Sequence, residues 1–333
     1  MGILTTTRLW LCDWRRCVAF VWVVLLVSAP LAGAYSSDLV VRSGGAVLVP
    51  VAHGAQKNRS LSAHSSAKKA VSRIPQLKPI RLAYEVYVGG THLIGADIRF
   101  SATKGGYTSR IEGRTLGIWH RFFPWNTTLE AVGRIRGDEL VPIGFESRDV
   151  WGHKLKVTRL KFAPDGEARA EFEPPAGVVP ASEEVTLDQR RGALDPVTAL
   201  LQMLAHLAVE HDCNIEVPVF DGKRRFDVMG ADASGAEKVE EDIDAGDYGV
   251  FKGKARVCQA GFRMVSGQWT DRQKSGFWKK SDTQQGREPF RVWLASIDPG
   301  LPELPVRLES NSIWGRIVIH LTGWNYEPQT QLN

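Results

Sequence analysis

The chain has 333 residues, 43% hydrophobic and 24% charged, with 42 Lys and Arg against 37 Asp and Glu. Those proportions exclude wholesale disorder, collagen-like repeats and a polytopic membrane protein, and the length suits one large β domain or two small ones. Residues 1–34 hold Arg8, Arg15 and Arg16 against Asp13, and residues 35–80 hold seven Lys or Arg against Asp38. These segments carry +2 and +6 of the net +5, so residues 81–333 stand at −3. A mildly acidic domain lacks the phosphate-neutralising surface of a nucleic-acid binder.

In chain order, the first predicted element is an export signal over residues 1–34. Arg15 and Arg16 precede an apolar run from Cys17 to Val27, and Ala32 and Ala34 fit the small-residue rule for cleavage after Ala34. Eleven apolar residues fall short of the about 20 that a spanning helix needs, so cleavage is expected, with retention as an anchor the alternative. Residues 35–79 form a basic linker. Its stretch 52–74 has no periodicity, no aromatic and no acidic residue, too little apolar surface to offset chain entropy. It serves as a solvated tether, or leans on an anionic surface.

A single β-rich domain is expected over residues 80–325, with 326–333 as a tail. Leu82, Tyr84, Val86 and Val88 alternate with Arg81, Ala83, Glu85 and Tyr87, which suits a strand with one face buried. Gly105-Gly106, Gly137-Asp138, Asp165-Gly166 and Asp221-Gly222 each separate two such runs. Gly and Asp accept the positive φ of tight hairpin turns. Local connections between many short strands make the class mainly β, an antiparallel sheet that is curved or closed. One principal helix interrupts it. Asp195 caps it, Pro196 opens it, and Val197, Leu200, Leu201, Leu204, Leu207 and Ala208 fall on one face. That amphipathic face is expected against the concave side of the sheet, bordering a cavity.

Cleavage would leave two cysteines, Cys213 and Cys258. In an oxidising compartment they most simply form one disulfide; a metal site with His211 and Asp212 is the alternative. No nucleophile elbow, phosphate loop or metal-ligand spacing is present, so no enzyme activity, cofactor or metal is expected. The acidic run Glu237, Glu240, Glu241, Asp242 and Asp244 reads as a solvated strand and turn. Two aromatic clusters stand out. Trp119, Phe122, Phe123 and Trp125 either plug one end of the barrel or form an amphipathic lip that touches ligand or membrane. Phe277 and Trp278, beside Lys279 and Lys280, are candidates for the same contact.

Several longer strings carry a resemblance. They are Leu82-Ala83-Tyr84-Glu85-Val86-Tyr87-Val88-Gly89-Gly90, Leu194-Asp195-Pro196-Val197-Thr198-Ala199-Leu200, Val219-Phe220-Asp221-Gly222-Lys223-Arg224-Arg225 and Val292-Trp293-Leu294-Ala295-Ser296-Ile297-Asp298. In this order the chain resembles the periplasmic domain-of-unknown-function family 3108 over about residues 80–325. The resemblance implies a half-open barrel similar to the lipoprotein carriers LolA and LolB, or a β-spiral with one disulfide as in envelope-integrity proteins. It carries over no catalytic residue. The expected function is an exported periplasmic protein of the Gram-negative envelope that holds a lipid or acyl chain. The alternative is an envelope scaffold whose cavity is filled by side chains and whose partner is another envelope protein.

Overall fold

The computed structural model describes residue 74 and residues 77–328, except 104, 177–179, 181–182, 234–239, 245–248, 269–289 and 313–314; residues 240–244 are described by their backbone alone. The signal, cleavage site and linker stretch 52–73, with Phe277 and Trp278, lie outside the described residues.

Period-2 alternation becomes strand wherever the sequence carries it. The strands are β1 Leu77–Val88, β2 Thr91–Ala102, β3 Gly106–Thr115, β4 Trp125–Arg136, β5 Glu139–Trp151, β6 Lys154–Phe162 and β7 Ala168–Glu173, then β8 Ile215–Phe220, β9 Arg224–Asp232, β10 Glu240–Asp244, β11 Lys252–Gly267, β12 Phe290–Ala295, β13 Leu304–Ser312 and β14 Gly315–Tyr326. All pair antiparallel in one sheet, in the order β7-β6-β5-β4-β3-β2-β1-β14-β13-β12-β11-β9-β8, with β10 also on β11. The first strand lies beside the last, Val86 opposite Ile319, so the two ends of the domain are zipped together in mid-sheet. In β1, Ile80, Leu82, Tyr84 and Val86 are buried while their neighbours are half-exposed. The opposite face carries cross-strand ion pairs, among them Arg81–Asp97, Arg99–Glu112 and Arg159–Glu146. Each contributes little to stability in water, but together they make the wall polar outside and apolar inside. That is the reverse of a lipid-facing barrel.

The two ends of the strand order, β7 and β8, approach without pairing and leave one open seam in a nearly closed barrel. The turn before β9 bridges it: the Lys223 ammonium lies 5.2 Å from the Phe172 ring centre. Gly222 makes this approach feasible, because its φ is +98° and a Cβ there would meet Thr158 Cγ2 at 2.9 Å.

Three helices are present among the described residues: α1 Gly117–Phe122, α2 Leu187–Arg190 and α3 Pro196–Glu210. The chain from β7 to β8 carries α2 and α3, so the segment that spans the seam also lays α3 across the interior. Leu194 extends the β8 edge, donating its N–H to Pro218 and accepting from Phe220. An edge left bare would be a template for aggregation. The short α1 and α2 carry no long apolar periodicity; α2 is held by a Thr186 and Gln189 capping box. No helix among the described residues is long and apolar enough to cross a membrane.

Candidate apolar binding site inside the barrel

The site is built on α3, and its position is set at three points. Asp195 Oδ1 accepts from the N–H groups of Val197 and Thr198 at 3.0 and 2.9 Å, and Oδ2 accepts from the Thr198 hydroxyl at 2.6 Å. That hydroxyl has spent its only proton on the carboxylate, so the Tyr107 hydroxyl donates to it at 2.7 Å. Tyr107 reaches inward because its ring lies over Gly133, where a Cβ would come within 2.3 Å of the phenol oxygen. At mid-helix, Gln202 accepts from the Leu140 N–H at 2.7 Å and donates to the Asp138 carbonyl at 3.0 Å. At the C-terminus His211 takes the left-handed conformation that ends the helix. Burial pushes the Asp195 carboxyl up to about 6, against the hydrogen bonds from Thr198 and Val197.

Pinned in this way, the helix divides the interior. On one side lies a cavity of about 130 Å³, lined by Leu200, Met203, Leu204 and Leu207 and across from them by Phe262 and Phe290. On the other lies one of about 80 Å³, lined by Leu200, Leu201 and Leu204 against Ile80, Ile98 and Phe100. Leu200, Leu204 and Pro305 touch both. Leu200, Leu201, Leu204 and Leu207 thus each line one or both of these cavities. Polar groups are sparse. The Tyr84 hydroxyl is spent on the Pro305 carbonyl at 2.9 Å, and burial raises its pKa well above the usual phenol range. Ser109 lines the smaller cavity, and its buried hydroxyl has no hydrogen-bond partner among the described residues.

The Cys213–Cys258 disulfide forms part of the wall of the larger cavity, with Cα atoms 6.0 Å apart. It ties the chain just beyond α3 to β11. The sulfurs are bonded to each other and offer no thiolates. Asp212 accepts from His206 at 3.0 Å, and the carboxylate beside the sulfurs is that of Asp232.

A still larger hollow, of about 600 Å³, is an outer groove bordered by Arg99, Arg110, Glu130, Glu146 and Arg159. Its charges pair among themselves and with Glu112 and Glu327, which leaves no convergent group for a ligand.

The first aromatic cluster is divided by the structure. Trp125 opens β4 fully buried at 1% exposure, its ring 6.2 Å from that of Trp151. It belongs to the core and forms no lip. Trp119 and Phe123 are half-buried and stacked at 6.5 Å, and the Thr115 hydroxyl donates to the Phe123 carbonyl to close the turn. Phe122 points outward. Sequence reasoning missed Ile118, which stands beside it on the exposed side of α1; its i, i+4 spacing from Phe122 was the available signal.

The family described as protein of unknown function (DUF3108) matches residues 83–322. No curated protein matches. Among solved structures the chain is similar to a β-barrel-like protein of domain of unknown function DUF1849 from Brucella abortus. The identity is 10% and the TM-score 0.42, over 76% of this chain and 100% of that one.

Proposed function

The chain belongs to the DUF3108 family, and from there we propose that it is a non-enzymatic binding protein that holds one acyl chain or slender lipid against α3. The carrying observation is the pair of apolar cavities on either side of a rigidly pinned helix. An empty void costs about 24 cal/mol per Å³, so the larger cavity alone forfeits about 3 kcal/mol. That is a sizeable share of a typical net stability of about 5–15 kcal/mol. An apolar occupant recovers it. Each cavity lies below the roughly 300–1,000 Å³ usual for drug-sized ligands, which favours a single chain over a bulky lipid. The disulfide fits an oxidising, exported location, and with the signal-like N-terminus it supports the periplasm. The likeness to lipoprotein carriers is part of this proposal and rests on the curved sheet around one helix.

Native mass spectrometry of the purified protein, before and after delipidation, tests the proposal. The expected spectrum shows an adduct of acyl-chain mass that Leu204→Trp removes, because Leu204 borders both cavities. A bare mass, with no uptake of added fatty acid, would favour the scaffold alternative.

A further inference from the structure

The barrel end at which β3 runs into α1 and β5 turns into β6 carries the two most exposed large apolar side chains among the described residues. Ile118 and Phe122 stand 66% and 61% exposed one turn apart on α1, and Leu155 is 41% exposed at the start of β6. The Gly152 N–H donates to the Pro124 carbonyl at 2.8 Å, which ties the β5–β6 turn to the α1–β4 junction and puts these side chains on one end. Arg114, Arg121 and Lys154 are exposed there. None of the three forms an ion pair among the described residues, whereas the wall arginines 81, 99, 110, 148 and 159 all do. The carboxylate on the adjoining strand, Asp149, is buried, accepts from Thr127 and Ser147 at 2.6 and 2.7 Å, and its charge acts on Lys156 behind them. Behind them lie half-buried Lys156 and Lys223. Burial and the neighbouring Lys223 charge hold the Lys156 ammonium below the usual lysine range.

We propose that this end of the barrel docks on an anionic lipid surface, with Ile118, Phe122 and Leu155 entering the headgroup boundary and Arg114, Arg121 and Lys154 meeting the phosphates. Apolar side chains ringed by uncompensated cations match the two forces of interfacial binding, burial of apolar surface and attraction to anionic headgroups. An acidic protein surface would satisfy the cations but not the apolar side chains of Ile118, Phe122 and Leu155 that stand exposed among them. The proposal does not depend on what occupies the interior.

Co-sedimentation with vesicles of phosphatidylcholine alone, or of phosphatidylcholine and phosphatidylglycerol in equal parts, tests it. The purified protein is expected on the anionic vesicles. Ile118→Ser with Phe122→Ser should lower its partitioning at least about tenfold. Arg121→Gln with Lys154→Gln should lower it about fivefold per charge, on anionic vesicles only. Val132→Ser with Ile143→Ser, exposed apolar positions on the barrel wall, should change nothing. All these side chains are exposed, so the variants should melt as the parent does. Residues 52–74 are common to every variant, which cancels their own attraction to anionic lipid. Wild-type binding by the α1 double variant, an equal loss in the wall variant, or no binding of the parent to either vesicle would each overturn the proposal.

Discussion

Asp195 shows how one buried carboxylate links local sequence to tertiary structure. Its capping role was readable, since Asp before Pro at the head of an apolar helical stripe is a strong start signal. Its partner Tyr107 was not, because that contact spans 91 positions and exists only once β3 faces α3. The carboxyl is pushed from 3.8 up to about 6 by burial, so between those values the folded protein holds the proton more tightly than the unfolded chain. The associated stabilisation is fully present below about pH 4 and is lost as pH rises through about 6, by about 3 kcal/mol from that difference in pKa. Urea unfolding at intervals from pH 4 to 7 should show this decline, and Asp195→Asn should remove that part of it. Asp195→Ala should remove the same decline and, by stripping the cap that Asn keeps, should be about 1–2 kcal/mol less stable than Asp195→Asn at every pH.

At the scale of elements, α3 is an amphipathic helix whose apolar stripe meets two hollows. Leu204 is only half-buried, so truncating it enlarges space that already exists. Leu204→Ala should fall at the low end of the usual loss, about 2 kcal/mol. Leu160→Ala, at 1% exposure inside β6, should reach about 4–5 kcal/mol. Chemical denaturation of the two variants checks the ordering, and equal losses would mean that the helix packs as tightly as the wall. The hairpins were legible for a different reason. A tight turn is decided by two or three adjacent residues, and Gly137, Gly166 and Gly222 take the positive φ expected of them. The short α1 was not legible; Thr115 and the strand ends on either side hold it in place.

The whole molecule is a curved sheet, one seam short of closure, braced by a helix-bearing crossover and one covalent bond. The disulfide closes residues 213–258, with β8, β9 and β10 inside the loop. The chain-entropy estimate for a loop of that size is about 4 kcal/mol. Reduction should lower the unfolding free energy by about this amount, followed by urea titration with and without reductant. Thiol labelling of denatured protein should find no free thiol before reduction and two after it; two further thiols would report retained Cys12 and Cys17. The seam supplies another test. Gly222→Ala places a Cβ against Thr158 in a backbone conformation unfavourable to other residues, and should cost about 1–3 kcal/mol. A melting temperature unchanged by that substitution would show that β7 and β8 do not need their close approach.

Strand content, hairpin positions, the capped helix and the cysteine pair follow from the sequence by itself, because each depends on residues adjacent in the chain or on a count. Period-2 alternation buries one face of a strand wherever that strand ends up. The tertiary structure alone decided that β1 pairs with β14, that the sheet stops one seam short of closure, and that α3 leaves space on both of its sides. It also decided that Trp125 turns inward while Phe122 turns out. These outcomes depend on how curvature accumulates over the whole sheet and on which side chains meet across more than a hundred residues. A local pattern specifies that a face is apolar; the volume enclosed in front of that face is set by every other strand at once.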